Sequence, residues 1–388
     1  MIKTFPLNIY FYNYVSLLLI KQRVNITDIL EKLVIKMNSL KILDREVNVK
    51  LPDNLVFGHT FSDHMFEMDY DEKNGWNNPE IKKFGNIELS PAALVFHYAQ
   101  ALFEGLKAYR QDSGKIALFR PDKNFERLNK SARRICIPEI DPDFVLEALK
   151  ELVRIDKDWI PSKPGYSLYI RPVVFASEAL LGVHPSNKYK FIIMLSPVGP
   201  YYPEGFRPVP IIVTDKYVRA VRKGTGEAKA AGNYAASLLA QSEAEKLGYT
   251  QVLWLDACEQ KYIEEVGAMN IFVRFKDEIV TPALTGSILS GITRMSVIQI
   301  LKEWGYNITE RRVSIDEIIE AHKNGTLVEI FGTGTAAVIS AVGRLKYNDY
   351  LIQFDEENAG ELGMKLYEEL TGIQSGRIED IRNWMTFV

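Results

Sequence analysis

The sequence predicts a mixed α and β (α+β) fold in two domains, on three observations. Its 388 residues exceed the roughly 100–200 of a typical single domain. From Leu51 onward, short β-branched or aromatic runs alternate with helical periodicity, without internal repeats or low-complexity tracts. In the middle, PVGPYYPEGFRPVP packs five prolines and two glycines into residues 197–210, a composition that breaks regular structure. The expected division is an extension outside the functional fold at 1–36, a smaller α/β domain at 37–198, a linker at 199–208 and a larger domain at 209–388.

The elements follow in order along the chain. Within the extension, the apolar run Phe5 to Ile20 is interrupted by Asn8 and Asn13 and lacks a small-residue cleavage pattern, so neither a signal peptide nor a membrane span is expected. Arg127 falls on a helical face with Phe125, Leu128 and Ala132. Asp141 as cap and Pro142 in the first turn open a second helix, whose apolar face is Phe144, Ala148 and Leu152 and which stops before Pro161. FIIMLSPV at 191–198 reads as a buried strand, and beyond the linker so do IIVT, QVLWLD and NIFVRF, the last turning back into EIV as a hairpin. Between IIVT and QVLWLD a helix is expected over Tyr234 to Leu247. Gly291 to Gly305 brackets another, Ser314 and Glu317 form a capping box for the next, TLVEIF is a strand, and Leu362, Leu366 and Leu370 mark a final helix around 357–371.

Composition removes several function classes. Lys and Arg number 47 against 50 Asp and Glu, a formal charge of −3, which argues against a protein organised around a nucleic-acid backbone. The two cysteines, Cys136 and Cys258, cannot build a disulfide framework and form no CxxC, so a reducing cytoplasm is the expected compartment. His59, His64, His97, His184 and His322 include no pair at helical ligand spacing, and no metal site is expected. No G-x-S-x-G elbow supports a serine hydrolase. Glu264 and Glu265 are adjacent, so on a strand they face opposite ways and make a poor glycosidase pair.

Three stretches carry chemistry. TGSILSG feeds into the helix opening at Gly291, leaving the amides of Ile292 and Thr293 without intrahelical partners, at the positive end of the helix dipole, where a phosphate could dock. GTGTAA at 332–337 follows a strand and superficially meets G-x-G-x-x-A. A β-branched run, AVISAVGRL, continues where a dinucleotide site needs a helix, so the turn reads as a backbone-amide nest for an anion. Lys229 lies between a glycine turn and a helix, and a desolvated lysine amine can attack an aldehyde. Glu265, in EEVGAMN, is the candidate to keep a pyridine nitrogen protonated.

These stretches belong to an ordered series: FGHTFSDHMF at 57–66, HYAQALFEGLKAYR at 97–110, RPDKNFERLNKSARR at 120–134, SLYIRPVVF at 167–175, AKAAGNYAASLLAQSEA at 228–244, EEVGAMN at 264–270, LSGITR at 289–294 and FGTGTAA at 331–337. Over about Leu51 to Val388 the series resembles the branched-chain amino acid aminotransferases, fold type IV enzymes dependent on pyridoxal 5'-phosphate (PLP). The resemblance implies a D-amino acid aminotransferase-like fold with the active site between two domains, the larger of which binds PLP. By motif, Lys229 resembles the Schiff-base lysine, Glu265 the partner of the pyridine nitrogen and Tyr234 the hydroxyl near the phenolic oxygen. Arg127, Ile292, Thr293 and Thr335 resemble the phosphate ligands. Thr335 and Ala336 resemble the turn that binds the substrate α-carboxylate. Phe57, Phe103 and Tyr169 match the apolar side-chain pocket, Arg171 the partner of a distal carboxylate, and Tyr98 a residue entering from the other subunit of a homodimer. The implied reaction exchanges L-leucine, L-isoleucine or L-valine with 2-oxoglutarate, giving branched 2-oxo acids and L-glutamate. D-amino acid aminotransferases and aminodeoxychorismate lyases share the lysine and glutamate and stand as alternatives, as does a catalytically silent PLP-binding scaffold. Two departures stand out: Ala337 and Ser340 occupy the positions of a redox CxxC found in some animal members, and Ala268 replaces a frequent hydroxyl residue.

Overall fold

The computed structural model describes residue 33 and residues 36–200, 207–354 and 360–388. The extension expected at 1–36 thus lies outside the described residues apart from Leu33 and Lys36, as do 201–206 of the linker and 357–359 at the expected start of the last helix.

The described strands form two nine-stranded sheets. In the first, the path runs Lys41–Ile42, Gly75–Lys83, His64–Asp71, Lys188–Val198, Ser167–Ala176, Leu106–Arg110, Ile116–Phe119 and Met385–Phe387, with Ala101–Phe103 pairing Ser167–Ala176 off the path. Helices Pro121–Arg134 and Pro142–Ile155 cover it, burying Phe125, Leu128, Val145, Leu149 and Leu152 against Phe66, Leu106 and Ile170. Asp141 caps the second helix as expected, its carboxylate accepting from the amides of Asp143 and Phe144.

In the second sheet Val209–Thr214, Gln251–Leu255, Ile263–Val266, Met269–Phe275, Leu327–Gly334 and Val338–Tyr347 close into a ring, because Ile263–Val266 pairs with both Gln251–Leu255 and Met269–Phe275. Closure removes free edges from these six strands. Leu253, Ile271, Val273 and Ile330 fill one core, and helices Ile292–Glu303 and Glu361–Ser375 pack a second one against Phe272 and Phe331. Leu362, Leu366 and Leu370, at fourfold spacing, are all buried there. The final strand, Met385–Phe387, crosses back to pair with Ile116–Phe119 of the first sheet.

One expected helix differs. The segment after Lys229 forms two short helices, Ala231–Ala235 and Leu238–Lys246. The Ser237 hydroxyl donates to the Tyr234 carbonyl at 2.8 Å, a local bond that competes with the helical ladder at the break. Among the described residues no helix is long and apolar enough to cross a membrane.

Candidate active site

The site is assembled where the two sheets meet, and Lys229 is pinned there by its backbone. Its N–H donates to Ser131 Oγ at 2.9 Å and its carbonyl accepts from the Phe103 N–H at 3.1 Å. Leu102 and Ala230 form an isolated bridge beside them. Both bonds come from the first sheet and its helix, whereas the lysine follows a strand of the second. The Nζ donates to the Tyr234 hydroxyl at 3.0 Å and lies 4.8 Å from the centroid of the Phe103 ring.

Glu265, on Ile263–Val266, is 4% exposed and accepts from the Leu289 amide at 2.8 Å. Burial pushes its carboxyl pKa above the usual carboxylate range, opposed by Arg219, whose Nε lies 3.4 Å away, and by the Leu289 amide and the charges of Lys229 and Arg127. Glu264 turns the other way, accepting from the Ser287 hydroxyl, as strand alternation requires. Glu265, Arg219, Tyr234 and Ala268 line one small cavity.

Arg127 is held on both sides. Its Nε and Nη2 make a bidentate pair with Glu104 at 2.7 and 2.8 Å, and Nη1 donates to the Ser290 carbonyl at 3.0 Å, next to the start of helix Ile292–Glu303. Glu104 is fully buried and also accepts from Asn124 at 2.7 Å. The following helix begins at Gly291 with no side-chain cap, leaving its first amides open. A Cβ on Gly291 would lie 2.0 Å from Asn270 Oδ1, so the close approach requires glycine. Ile292, Thr293 and Thr335 line a second small cavity.

The turn Thr335–Ala336 joins the antiparallel strands Leu327–Gly334 and Val338–Tyr347, so the chain does continue as a hairpin. Two bonds tie it to the first sheet: Thr335 Oγ1 donates to the Gly105 carbonyl at 3.2 Å, and Lys107 Nζ donates to the Ala336 carbonyl at 2.9 Å. Val338, at the end of the turn, has φ +63°, a strained value for a β-branched residue.

Arg171 stacks on two rings, 4.7 Å from the Phe103 centroid and 5.3 Å from that of Tyr169. It makes no ion pair among the described residues, and its buried Nε has no hydrogen-bond partner. Phe57 packs edge-on against Tyr169 at 4.8 Å, and Phe57 and Ala336 line an apolar cavity of about 250 Å³. Gly105 makes room for this cluster, since a Cβ there would lie 2.1 Å from the Tyr169 hydroxyl. Tyr98 stands apart: it ends the short helix Leu94–Tyr98, is 41% exposed and donates to the Leu181 carbonyl.

Sequence reasoning singled out Arg127 and Glu265 without their partners. Glu104, Gly105 and Lys107 all lie inside HYAQALFEGLKAYR, where FEGLK carried the signal. Arg219 has no such marker, because nothing in its local pattern places it against Glu265.

The chain resembles known proteins over most of its length. The model of the class IV amino-transferase family matches residues 101–345. The chain is 56% identical over 337 residues to branched-chain-amino-acid aminotransferase 2 of Bacillus subtilis, covering 87% of this chain and 93% of that one. It is 45% identical over 337 residues to the branched-chain-amino-acid aminotransferase of Mycolicibacterium smegmatis, covering 86% and 92%. Among solved structures, the branched-chain amino acid aminotransferase of Escherichia coli superposes with TM-score 0.70 at 28% identity, over 83% of this chain and 98% of that one. A second structure from the same organism gives 0.67 at 27%, over 84% and 98%. The chain belongs to the class IV aminotransferases and, among them, to the branched-chain amino acid aminotransferases.

Proposed function

We propose that the protein transfers the amino group of L-leucine, L-isoleucine or L-valine to 2-oxoglutarate, with PLP carried on Lys229. The observation that carries this reading is the Lys229 amine held 3.0 Å from the Tyr234 hydroxyl, with the buried Glu265 lining the same cavity as that tyrosine.

The residues present fit the cofactor. The uncapped amides of Ile292 and Thr293 supply donors for a phosphate in the cavity that Thr335 also lines, Arg127 is bonded to Ser290 beside that helix start, and Glu104 fixes the Arg127 plane. Glu265, whose proton affinity burial raises, suits the pyridine nitrogen, and Arg219 with the Leu289 amide holds that carboxylate in place. When bound, PLP supplies an aldehyde that condenses with primary amines and a ring that accepts electron density from the substrate Cα.

This chain's residues do the rest. With PLP bound, the Lys229 amine would hold its aldehyde and would move the proton of the substrate Cα, and Tyr234 positions that amine. The amides of the Thr335–Ala336 turn hold the α-carboxylate. Phe57, Phe103 and Tyr169 enclose a branched alkyl chain and exclude water. Arg171, a cation without an acidic partner among the described residues, meets the distal carboxylate of 2-oxoglutarate and glutamate, which a purely apolar pocket would leave unpaired. Tyr98 enters the site of a partner copy in a homodimer, and the exposed Phe96, Leu181 and Val183 around it supply the apolar surface for that contact. The exposed, unpaired Cys136 and Cys258 suit a cytoplasmic location.

The test is glutamate formation from each L-amino acid and 2-oxoglutarate. Wild type turns over leucine; Lys229→Ala retains cofactor through its phosphate contacts and shows no steady-state transamination. Appreciable turnover by that variant would contradict the assignment.

A further inference from the structure

Beyond the Thr335–Ala336 turn lies a cavity of about 280 Å³ whose walls include Ala336 but none of Lys229, Arg127, Tyr234, Glu265 or Arg171; Lys107, Tyr109 and Gln374 form the wall it shares with the small cavity of Ile292, Thr293 and Thr335, while Arg110, Lys163 and Arg377 line it alone. It sits at the lower edge of ligand-pocket sizes, about 300–1,000 Å³. Its charge is unusual for a chain of net −3, because Lys107, Arg110, Lys163 and Arg377 face it against a single carboxylate, Asp112. None of the four cations forms an ion pair among the described residues; the Arg110 guanidinium donates instead to the Lys157 carbonyl at 2.7 Å.

Two buried groups are aimed into this space with hydrogen-bonding capacity to spare. Lys107 is 8% exposed, and its three-donor ammonium has one hydrogen bond, to the Ala336 carbonyl. Burial alone brings its pKa down to about 8, the mark of a charge whose desolvation nothing offsets. Gln374, on helix Glu361–Ser375, is 5% exposed, and its carboxamide has no hydrogen-bond partner among the described residues. The Tyr109 phenol adds a third donor, kept protonated by burial and by the neighbouring Tyr367. N–H and O–H donors among four cations and one carboxylate favour an occupant with clustered anionic oxygens.

Lys107 and Ala336 also line the apolar cavity that holds Phe57. An anion taking a spare donor of the Lys107 ammonium acts on the same group that holds the Ala336 carbonyl, so occupancy of one cavity reaches the turn that faces the other. We propose that the basic cavity binds a small organic polyanion, a tricarboxylate or a phosphate ester, and that its binding changes affinity for the substrate carboxylate. The second half of this proposal rests on the role given above to the Thr335–Ala336 turn; the first half does not.

Calorimetric titration of the holoenzyme at low salt tests it, with tricarballylate and glycerol 3-phosphate as separate probes, each with and without saturating 4-methylvalerate. At least one anion should bind at a single site, and which one identifies the source of the oxygens. Binding should weaken about tenfold in K163Q/R377Q, which removes two rim cations, and comparably in Q374L. K163Q/R377Q should keep its cofactor absorbance and its kcat with leucine. The anion and 4-methylvalerate should alter each other's affinity by the same factor, while the anion moves the KM for leucine more than kcat. No saturation with either probe up to about 20 mM, a range covering ordinary metabolite-strength binding, or binding indifferent to both variants, overturns the site. Unaltered 4-methylvalerate affinity in the anion-bound enzyme overturns the coupling. If leucine is not turned over at all, the function proposed for the protein fails while the anion isotherms still decide the cavity.

Discussion

Arg171 and Lys107 show how much a single cation depends on what surrounds it. Arg171 has aromatic faces and no acidic partner among the described residues, the setting that supports the ligand role proposed for it. Arg171→Met should lower kcat/KM for 2-oxoglutarate by about 100-fold or more, the cost of a lost buried carboxylate pair, while leucine half-reactions change only a few-fold. Single-turnover kinetics with each substrate separates the two, and equal losses would remove Arg171 from this role. Lys107 is the opposite case, because its burial is a cost. With its pKa lowered from 10.5 to about 8, the folded protein sheds this proton more readily than the unfolded chain. The penalty is therefore complete below pH 8 and is relieved as pH rises from 8 towards 10.5. In polyanion-free buffer, Lys107→Met should raise stability at pH 7 by about 1–3 kcal/mol in denaturant melts, offset in part by the lost bond to Ala336, with the gain shrinking by pH 10. A gain that grows with pH would contradict this reading.

At the scale of elements, local chemistry was legible wherever one residue decides the outcome. Asp141 caps the helix Pro142–Ile155, Ser314 accepts from the Glu317 amide at the start of Ile315–Lys323, and Gly305 ends Ile292–Glu303 with φ +79°. Asp141→Ala should cost about 1 kcal/mol in a denaturant melt, with no change in the slope of the transition. Leu366→Ala, in the fully buried row of the last helix, should cost about 2–5 kcal/mol by cavity formation. The capping box is only half made, because Glu317 turns its carboxylate to Arg311. The break at Ser237 was not legible, since apolar periodicity continues through AASLLAQSEA while a hydroxyl-to-carbonyl bond divides the helix. Of the site, residues inside the ordered motifs were readable; Arg219 was not, because its contact with Glu265 joins positions that no local spacing relates.

The whole molecule brings together residues that the sequence holds far apart. Lys229 is fixed through Ser131 and Phe103, Arg127 through Glu104 and Ser290, and the Thr335–Ala336 turn through Gly105 and Lys107, so each proposed ligand group is tied across the junction of the two sheets. Bonds of this kind couple the site to the junction itself. Glu104→Gln should weaken cofactor retention, because Arg127 loses its charged brace and a buried cation is left less compensated. Faster loss of cofactor absorbance on dialysis would register this, and retention equal to wild type would count against it. The ring of six strands and its two cores could be anticipated only as a set of strands, since ring closure depends on the pairing of Ile263–Val266 with two partners. The central claim concerns one amine. Borohydride reduction of the holoenzyme, followed by digestion and mass spectrometry, should place a phosphopyridoxyl group on the peptide containing Lys229 and abolish transamination. An unlabelled Lys229, or a label on any other lysine, would contradict the account.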